Sequence, residues 1–335
     1  MKSLLILGAA AALASITAPA AVAAARPAAQ AAADPLTTLI GMERRVAPII
    51  QRLVTGSARW CPQRMPAPGW LLGDPRQYRA SIWQRARPLY AASERDAPFI
   101  AALDAAGPAA AAGLVPGDAV LAINGTAIAG DAKNPYARLE AAHALLAAAP
   151  VGAPLTVTVA RLPAPLAIAA PSACASEFRV EASEQVRARA DGILVLLYAG
   201  MLRFSDNDDE LATVIAHELA HNILRHRARL NAANIQRGLA QNFGRNARLT
   251  RATEEEADRL SVWLMADAGY DPAAAARFWT NFGKRHGGGI FAAPTHPRWQ
   301  DRVRSVTEEA AAMQRLRAAD PLAIPPLVAS PPPLE

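Results

Sequence analysis

Cysteine, lysine and aromatic side chains are scarce in this chain. Two cysteines among 335 residues exclude a disulfide-dense scaffold, and neither has metal-type spacing to another ligand. Lysine occurs only as Lys2, Lys133 and Lys284, so arginine carries the net charge of +6. No arginine cluster is interleaved with aromatics, and nucleic acid is therefore not an expected partner. Aromatics make up 5% of the chain and alanine inflates the 52% hydrophobic fraction, so the core is smaller than that figure suggests. Beyond the N-terminus no apolar run approaches the eighteen or so residues of a membrane span, and the mature chain is expected to have none.

What is present is organised in blocks. Residues 1–23 have the layout of a signal peptide: Lys2, a short apolar run from Leu4 to Ile16, and a small-x-small cleavage site at Ala21-Val22-Ala23. No cysteine follows that could carry a lipoprotein anchor, so the expectation is an exported, periplasmic protein. Residues 24–35 read as a disordered Ala/Pro spacer. Residues 36–62 carry a helix, Leu36 to Val54, expected to kink or break at Pro48 and to pack on the catalytic domain. About thirty residues without clear periodicity follow.

Residues 97–161 read as a separate β-rich unit. Pro98 to Leu103 is a strand, Pro108 to Ala112 a short helix, and Ala119 to Ile123 a strand closed by the hairpin signal Asn124-Gly125. Pro135 to Ala149 is a helix and Leu155 to Ala160 a last strand. The stretch Ala-Gly-Leu-Val-Pro-Gly-Asp-Ala-Val-Leu-Ala-Ile-Asn-Gly, residues 112–125, resembles the central part of a PDZ domain. The resemblance implies a groove beside the helix at 135–149 for an extended peptide, although no carboxylate-binding loop is evident. His143 on that helix reads as a packing or surface residue. Leu162 to Pro171 reads as a Pro-rich linker.

The stretch that carries chemistry is Asp209 to His221, with His-Glu-x-x-His at its centre. Two histidines four apart on a helix face the same way and can share one metal ion, and Glu218 can act on water as general base. Leu211, Val214, Ile215, Leu219, Ile223 and Leu224 make the helix apolar almost all round, hence buried. Ser205 and Asp208 are spaced as its capping box. Polar groups buried there need partners, and a metal supplies them. His226, five residues after His221, would point about 140° away on a continuing helix and so makes a poor ligand. The apolar run Ile193, Leu194, Val195, Leu196, Leu197, Tyr198 is a strand, either an ordinary buried one or an edge strand that pairs with substrate.

A catalytic zinc takes a third protein ligand. Downstream candidates are Glu254, Glu255, Glu256, Asp258, His286 and His296. Thr253 and Glu256 are spaced as the capping box of a new helix, and an acidic first turn there suits the helix dipole. Glu254 and Asp258, four apart, share a face, so that one can coordinate while the other orients a ligand histidine. Lys284 to Ala293 is Gly-rich and reads as a mobile loop. An amphipathic helix reaches about Arg317, and residues 319–335 read as a disordered Pro-rich tail.

The His-Glu-Leu-Ala-His segment with Arg225-His226, Glu254-Glu-Glu-Ala-Asp258, Ala268-Gly-Tyr-Asp-Pro272 and Thr295-His-Pro297 with Arg302 resembles the metallopeptidase family of the CAAX prenyl endopeptidase and the heat-shock protease HtpX. That resemblance implies an α+β gluzincin domain over 172–318, mostly helical with a small β-sheet, next to the PDZ-like unit. It implies one Zn2+ per chain held by His217, His221 and Glu254, with Asp258 behind a ligand. It also implies Glu218 as general base and His296 near the reacting carbonyl, supported by Arg302. The integral-membrane members have transmembrane helices that this chain lacks, which favours soluble or envelope proteins as substrates. Cys61 and Cys174 form an even pair, and one disulfide between them is expected of an oxidising compartment. The alternative function is a peptide-binding or chaperone-like protein that works through the PDZ-like unit, with a non-catalytic metal site.

Overall fold

The computed structural model describes residues 34–235, 243–286 and 296–334. The leader expected at 1–23 and the Gly-rich run at 287–293 lie outside them. Helix α1 (Pro35–Gly56) starts at Asp34, whose carboxylate accepts the Thr37 amide, with Pro35 in the first turn where its missing N–H costs nothing. The break expected at Pro48 does not occur. Val46, Ile49, Ile50 and Leu53 are buried on either side of it, and that packing outweighs one lost backbone hydrogen bond.

The unassigned stretch after α1 forms strands β1 (Arg64–Pro66) and β2 (Trp70–Gly73) and helix α2 (Ala80–Tyr90). The PDZ-like unit follows with β3 (Phe99–Leu103), α3 (Pro108–Ala111), β4 (Val120–Ile123), β5 (Thr126–Ala127), α4 (Ala137–Ala148), β6 (Leu155–Val159) and β7 (Leu166–Ile168). Asn124 and Gly125 both take positive φ, 48° and 76°, as a two-residue hairpin turn requires. The unit is larger than 97–161. β2 pairs with β3 from upstream, and the supposed linker supplies β7, which pairs with β6 and completes the sheet β5-β4-β6-β7. Ile168 is fully buried in the unit's core with Ile100, Val120, Ile123 and Val157; an apolar side chain at that point outweighs the prolines around it. Met65 of β1 is buried in the same core, with Ala142 and Leu146 of α4.

β1 also pairs with β8 (Ser172–Cys174), and beside this pair Cys61 and Cys174 are joined in a disulfide, Cα atoms 5.3 Å apart. A three-stranded sheet follows in the order β10 (Ala188–Ala190), β11 (Leu194–Tyr198), β9 (Glu177–Glu181). β11 is therefore the central strand, antiparallel to β10 and parallel to β9. The edge-strand role considered for Ile193–Tyr198 is excluded, because the backbone bonds of β11 are used on both sides.

The helical part comprises α5 (Ala199–Phe204), α6 (Asp208–Ile223), α7 (His226–Ala232), α8 (Gly244–Asp267), α9 (Ala274–His286), α10 (Trp299–Ala319) and α11 (Pro326–Ala329). α6 lies along α8 and also packs on α9 and α1, while α10 packs on α8 and α9. α6 is capped by Asn207, whose side chain accepts the Glu210 amide, and not by Ser205, whose hydroxyl bonds the Met201 carbonyl instead. α8 begins at Gly244, so Thr253 is no cap: it lies mid-helix with its hydroxyl on the Thr250 carbonyl. The described part of the tail is docked rather than disordered. Leu327 is buried, Arg59 donates to the Leu322 carbonyl, and Arg229 donates to the Pro332 carbonyl. Among the described residues no helix is long and apolar enough to cross a membrane.

Glu43, on the inner face of α1, accepts the Tyr90 hydroxyl at 2.7 Å. Burial pushes its carboxyl up to about 7. Below about 4.5 it is protonated folded or unfolded and stability is unaffected. Between about 4.5 and 7 the unfolded chain releases the proton while the folded chain keeps it, so stability falls as pH rises through that window, by about 3 kcal/mol in all. Glu43→Gln keeps an acceptor for Tyr90 and should remove this slope; urea unfolding from pH 4 to 8 checks it, and unchanged slopes in the two proteins would contradict it.

Candidate metal and catalytic site

α6 supplies His217, Glu218 and His221, and α8 supplies Glu254 and Asp258 from the turns that lie against it. The four-residue spacing puts the two imidazoles on one helix face. His217 Nε2 lies 3.2 Å from His221 Nε2, and the two Glu254 oxygens lie 3.4 Å from His217 Nε2 and 3.5 Å from His221 Nε2. Bond lengths of 2.0–2.1 Å in a tetrahedral zinc site imply ligand–ligand edges of about 3.3–3.4 Å. The three approaches are close to that length, the two from Glu254 being made by different oxygens, and one ligand atom from each residue lies within 4.8 Å of the other two. The chemistry also fits. Two ring nitrogens and a carboxylate converge, and a proton can bridge one of the three edges where a cation meets all three donors at once. Among the described residues this is the one group of three or more such side chains with that geometry.

His217 is oriented from behind. Its Nδ1 lies 3.0 Å from Asp258 Oδ1, and Asp258 is itself gripped by Arg302, whose Nε and Nη2 donate to its two oxygens at 2.7 and 2.6 Å. The Arg302 guanidinium lies over the Trp279 ring. Arg302 is thus engaged by Asp258 and Trp279, where the resemblance implied a support for His296. His296 has its Nε2 3.8 Å from Glu254 Oε2 and about half its side chain exposed. His286 ends α9 against the Phe204 and Phe282 rings.

His226 falls elsewhere than a continuing helix would put it. α6 stops at Ile223, Arg225 takes a left-handed φ of 53°, and α7 starts at His226. The turn brings His226 back so that its Nδ1 is 2.8 Å from His221 Nδ1, while its Nε2 is 3.0 Å from Glu256 Oε2. Glu256 is not an exposed first-turn acid; it is buried and also accepts from Arg229. Sequence reasoning weighed both residues in other roles and missed their contact. The available signal was Arg225-His226 itself, which belongs to the resembling stretches but was set aside on helical geometry.

Electrostatics divides the groups. Burial pushes the His217 imidazole down, but its bonds to Asp258 and Glu254 outweigh that and carry it up to about 9. Burial holds His221 well below its ordinary value and lowers His226 against the pull of Glu256. Burial raises the Glu254, Asp258 and Glu256 carboxyls, yet their histidine and arginine neighbours outweigh it and hold all three down. Glu218 is the exception: burial dominates and holds it up to about 7, although a cation at the three donors would draw it down again. Glu218, the three donors and His296 line one open cleft, together with Arg187 and the residues of β10. β11 does not line it.

Two packed helices that bring His-Glu-x-x-His to a glutamate on the second, beside a small β-sheet, have the layout of a gluzincin metallopeptidase site. The comparisons agree with that class. Residues 166–247 and 232–310 match the model of peptidase family M48, and residues 99–161 match a PDZ domain. Residues 166–310 of this chain are thus similar to peptidase family M48, with a PDZ-domain match before them. Similar proteins include the mitochondrial metalloendopeptidase OMA1 of Schizosaccharomyces pombe, 33% identical over 135 residues, which cover 34% of this chain and 40% of the relative. The beta-barrel assembly-enhancing protease of Escherichia coli K12 is 31% identical over 112 residues, 25% of this chain and 23% of the relative. OMA1 of Arabidopsis thaliana is 29% identical over 143 residues, 36% and 30%. The matched region spans less than half the length of each of these relatives.

Proposed function

We propose that this protein is an exported, zinc-dependent endopeptidase that hydrolyses peptide bonds of envelope proteins and serves their quality control. The observation that carries the reading is the convergence of His217, His221 and Glu254 within reach of one ion, with Glu218 in the same cleft. Zinc held by those three residues would supply Lewis-acid chemistry, polarising the carbonyl and acidifying water. The chain's own residues do the rest. Glu218 accepts a proton from the attacking water and returns it to the leaving amine, as a carboxylate beside the three donors in the same cleft can. Asp258 and Arg302 fix the ring of His217. His296, whose Nε2 lies 3.8 Å from Glu254, would donate to the carbonyl oxygen as negative charge develops there. Export is supported by the leader-like N-terminus and by the Cys61–Cys174 disulfide, which suits an oxidising compartment. Envelope substrates are supported by the name of the Escherichia coli relative.

The alternative, a peptide-binding protein with an idle metal site, is weakened by Met65, which places the chain's own β1 against the α4 face that an added peptide strand would need. It also leaves Glu218 without a task. The test is a casein digest of the full chain with metal analysis. One zinc per chain, cleavage abolished by a chelator and cleavage restored by zinc are expected. Cleavage that persists in metal-free protein, or a chain that takes up no zinc, would sink the reading.

A further inference from the structure

His217 and His221 are equal partners in the motif but are supported differently. His217 meets a carboxylate directly, through Asp258. At the Nδ1 of His221 stands another imidazole, His226 at 2.8 Å, and the carboxylate of Glu256 lies one step further back. Glu256 is buried, and both its oxygens accept from the terminal nitrogens of Arg229. With His221 ligating through Nε2, its hydrogen sits on Nδ1 and is received by a bare Nδ1 of His226, whose own hydrogen then sits on Nε2, facing Glu256. The lone pair of His221 is then at Nε2, toward His217 and Glu254.

We propose that His226 and Glu256 are positioning residues for the metal site, a carboxylate–imidazole relay that sets the tautomer and ring orientation of His221 at one remove. The backbone is bent to make it: α6 is broken and Arg225, a residue with a β-carbon, sits in the left-handed region so that His226 folds back onto His221. A continuing helix would have turned His226 away and left the Nδ1–H of His221 without this acceptor. The relay rests on the zinc site proposed above and concerns how tightly that site binds, not which residues bind.

The experiment is a zinc titration of the full chain against a chromophoric chelator, for the wild type, His226→Leu and His226→Gln. Leucine fills the space without hydrogen bonds, and His226→Leu should weaken zinc binding by about 10–100-fold. Glutamine can accept from His221 Nδ1–H with its oxygen and donate to Glu256 with its nitrogen, so His226→Gln should recover most of the loss. Wild-type affinity in His226→Leu, or no recovery in His226→Gln, overturns the relay while leaving the metal site standing; a wild-type chain that binds no zinc sinks the site and the relay together. Should His226→Leu not fold, the wild type decides without a variant. In long-range proton–nitrogen spectra of the zinc-loaded chain, His226 protonated on Nε2 and His221 on Nδ1 support the relay, and the opposite tautomer at His226 overturns it.

Discussion

Glu218→Gln should lower peptide hydrolysis by about 10²–10⁴-fold, the span expected when a general base is removed, and leave zinc uptake unchanged. The substitution keeps the size and polarity of the side chain, and Glu218 is not among the three donors that converge. What it removes is the carboxylate that lies in the cleft beside the three donors and takes the proton and gives it back. Turnover and zinc content measured on the same preparation decide it. Loss of zinc along with activity would assign Glu218 to the architecture of the site; retention of both would leave the hydrolysis without its base.

Arg302→Met should be the most damaging single change to stability in the catalytic domain. Asp258 is fully buried, and both its oxygens are held by Arg302 in a two-pronged contact. Taking one partner from a buried ion pair strands the other charge, which costs about 3–5 kcal/mol. The loss should reach the metal site too, since Asp258 orients His217 and the guanidinium covers Trp279. Arg302→Lys should recover little, because a point charge cannot reproduce the fork on two carboxylate oxygens. Urea unfolding of the metal-free proteins measures the effect. An Arg302→Met chain as stable as the wild type would show that the buried pair does not hold α10 to α8.

Local patterns were legible in the sequence, and patterns that depend on a distant partner were not. The i, i+4 spacing of His217 and His221 is a property of one helix, and apolar residues all round it announce its burial. The Asn124-Gly125 hairpin is equally local. Glu254 could be singled out only by its pairing with Asp258 and by family resemblance, because an acidic cluster after Thr253 also looks like the start of a helix. The helix in fact begins at Gly244, in a polar stretch where propensity says little and packing against α6 decides. His226 was set aside because helical geometry was extended past a break that only Arg225's left-handed turn reveals.

The apolar run at 193–198 signalled a strand but not its neighbours. A continuous hydrophobic strand is buried on both faces, and whether its two edges are also paired depends on β9 and β10, which are short and mixed in composition. The Pro-rich segments failed in the same way. Ile168 and Leu327 lie in short apolar stretches among prolines, and each is ordered by a core that the remainder of the chain builds.

By itself, then, the amino-acid order determined that a buried helix carries two imidazoles and a carboxylate on adjoining faces, and that a PDZ-like unit precedes it. Those features follow from periods of 3.6 and 2 residues, which adjacent positions dictate. Tertiary structure decided that Glu254 and Asp258 would meet those imidazoles from α8, that β11 would lie in the middle of its sheet, and that His226 would fold back onto His221. The reason is that such meetings are selected by burial summed over elements far apart in the chain, and no short window of sequence contains both partners.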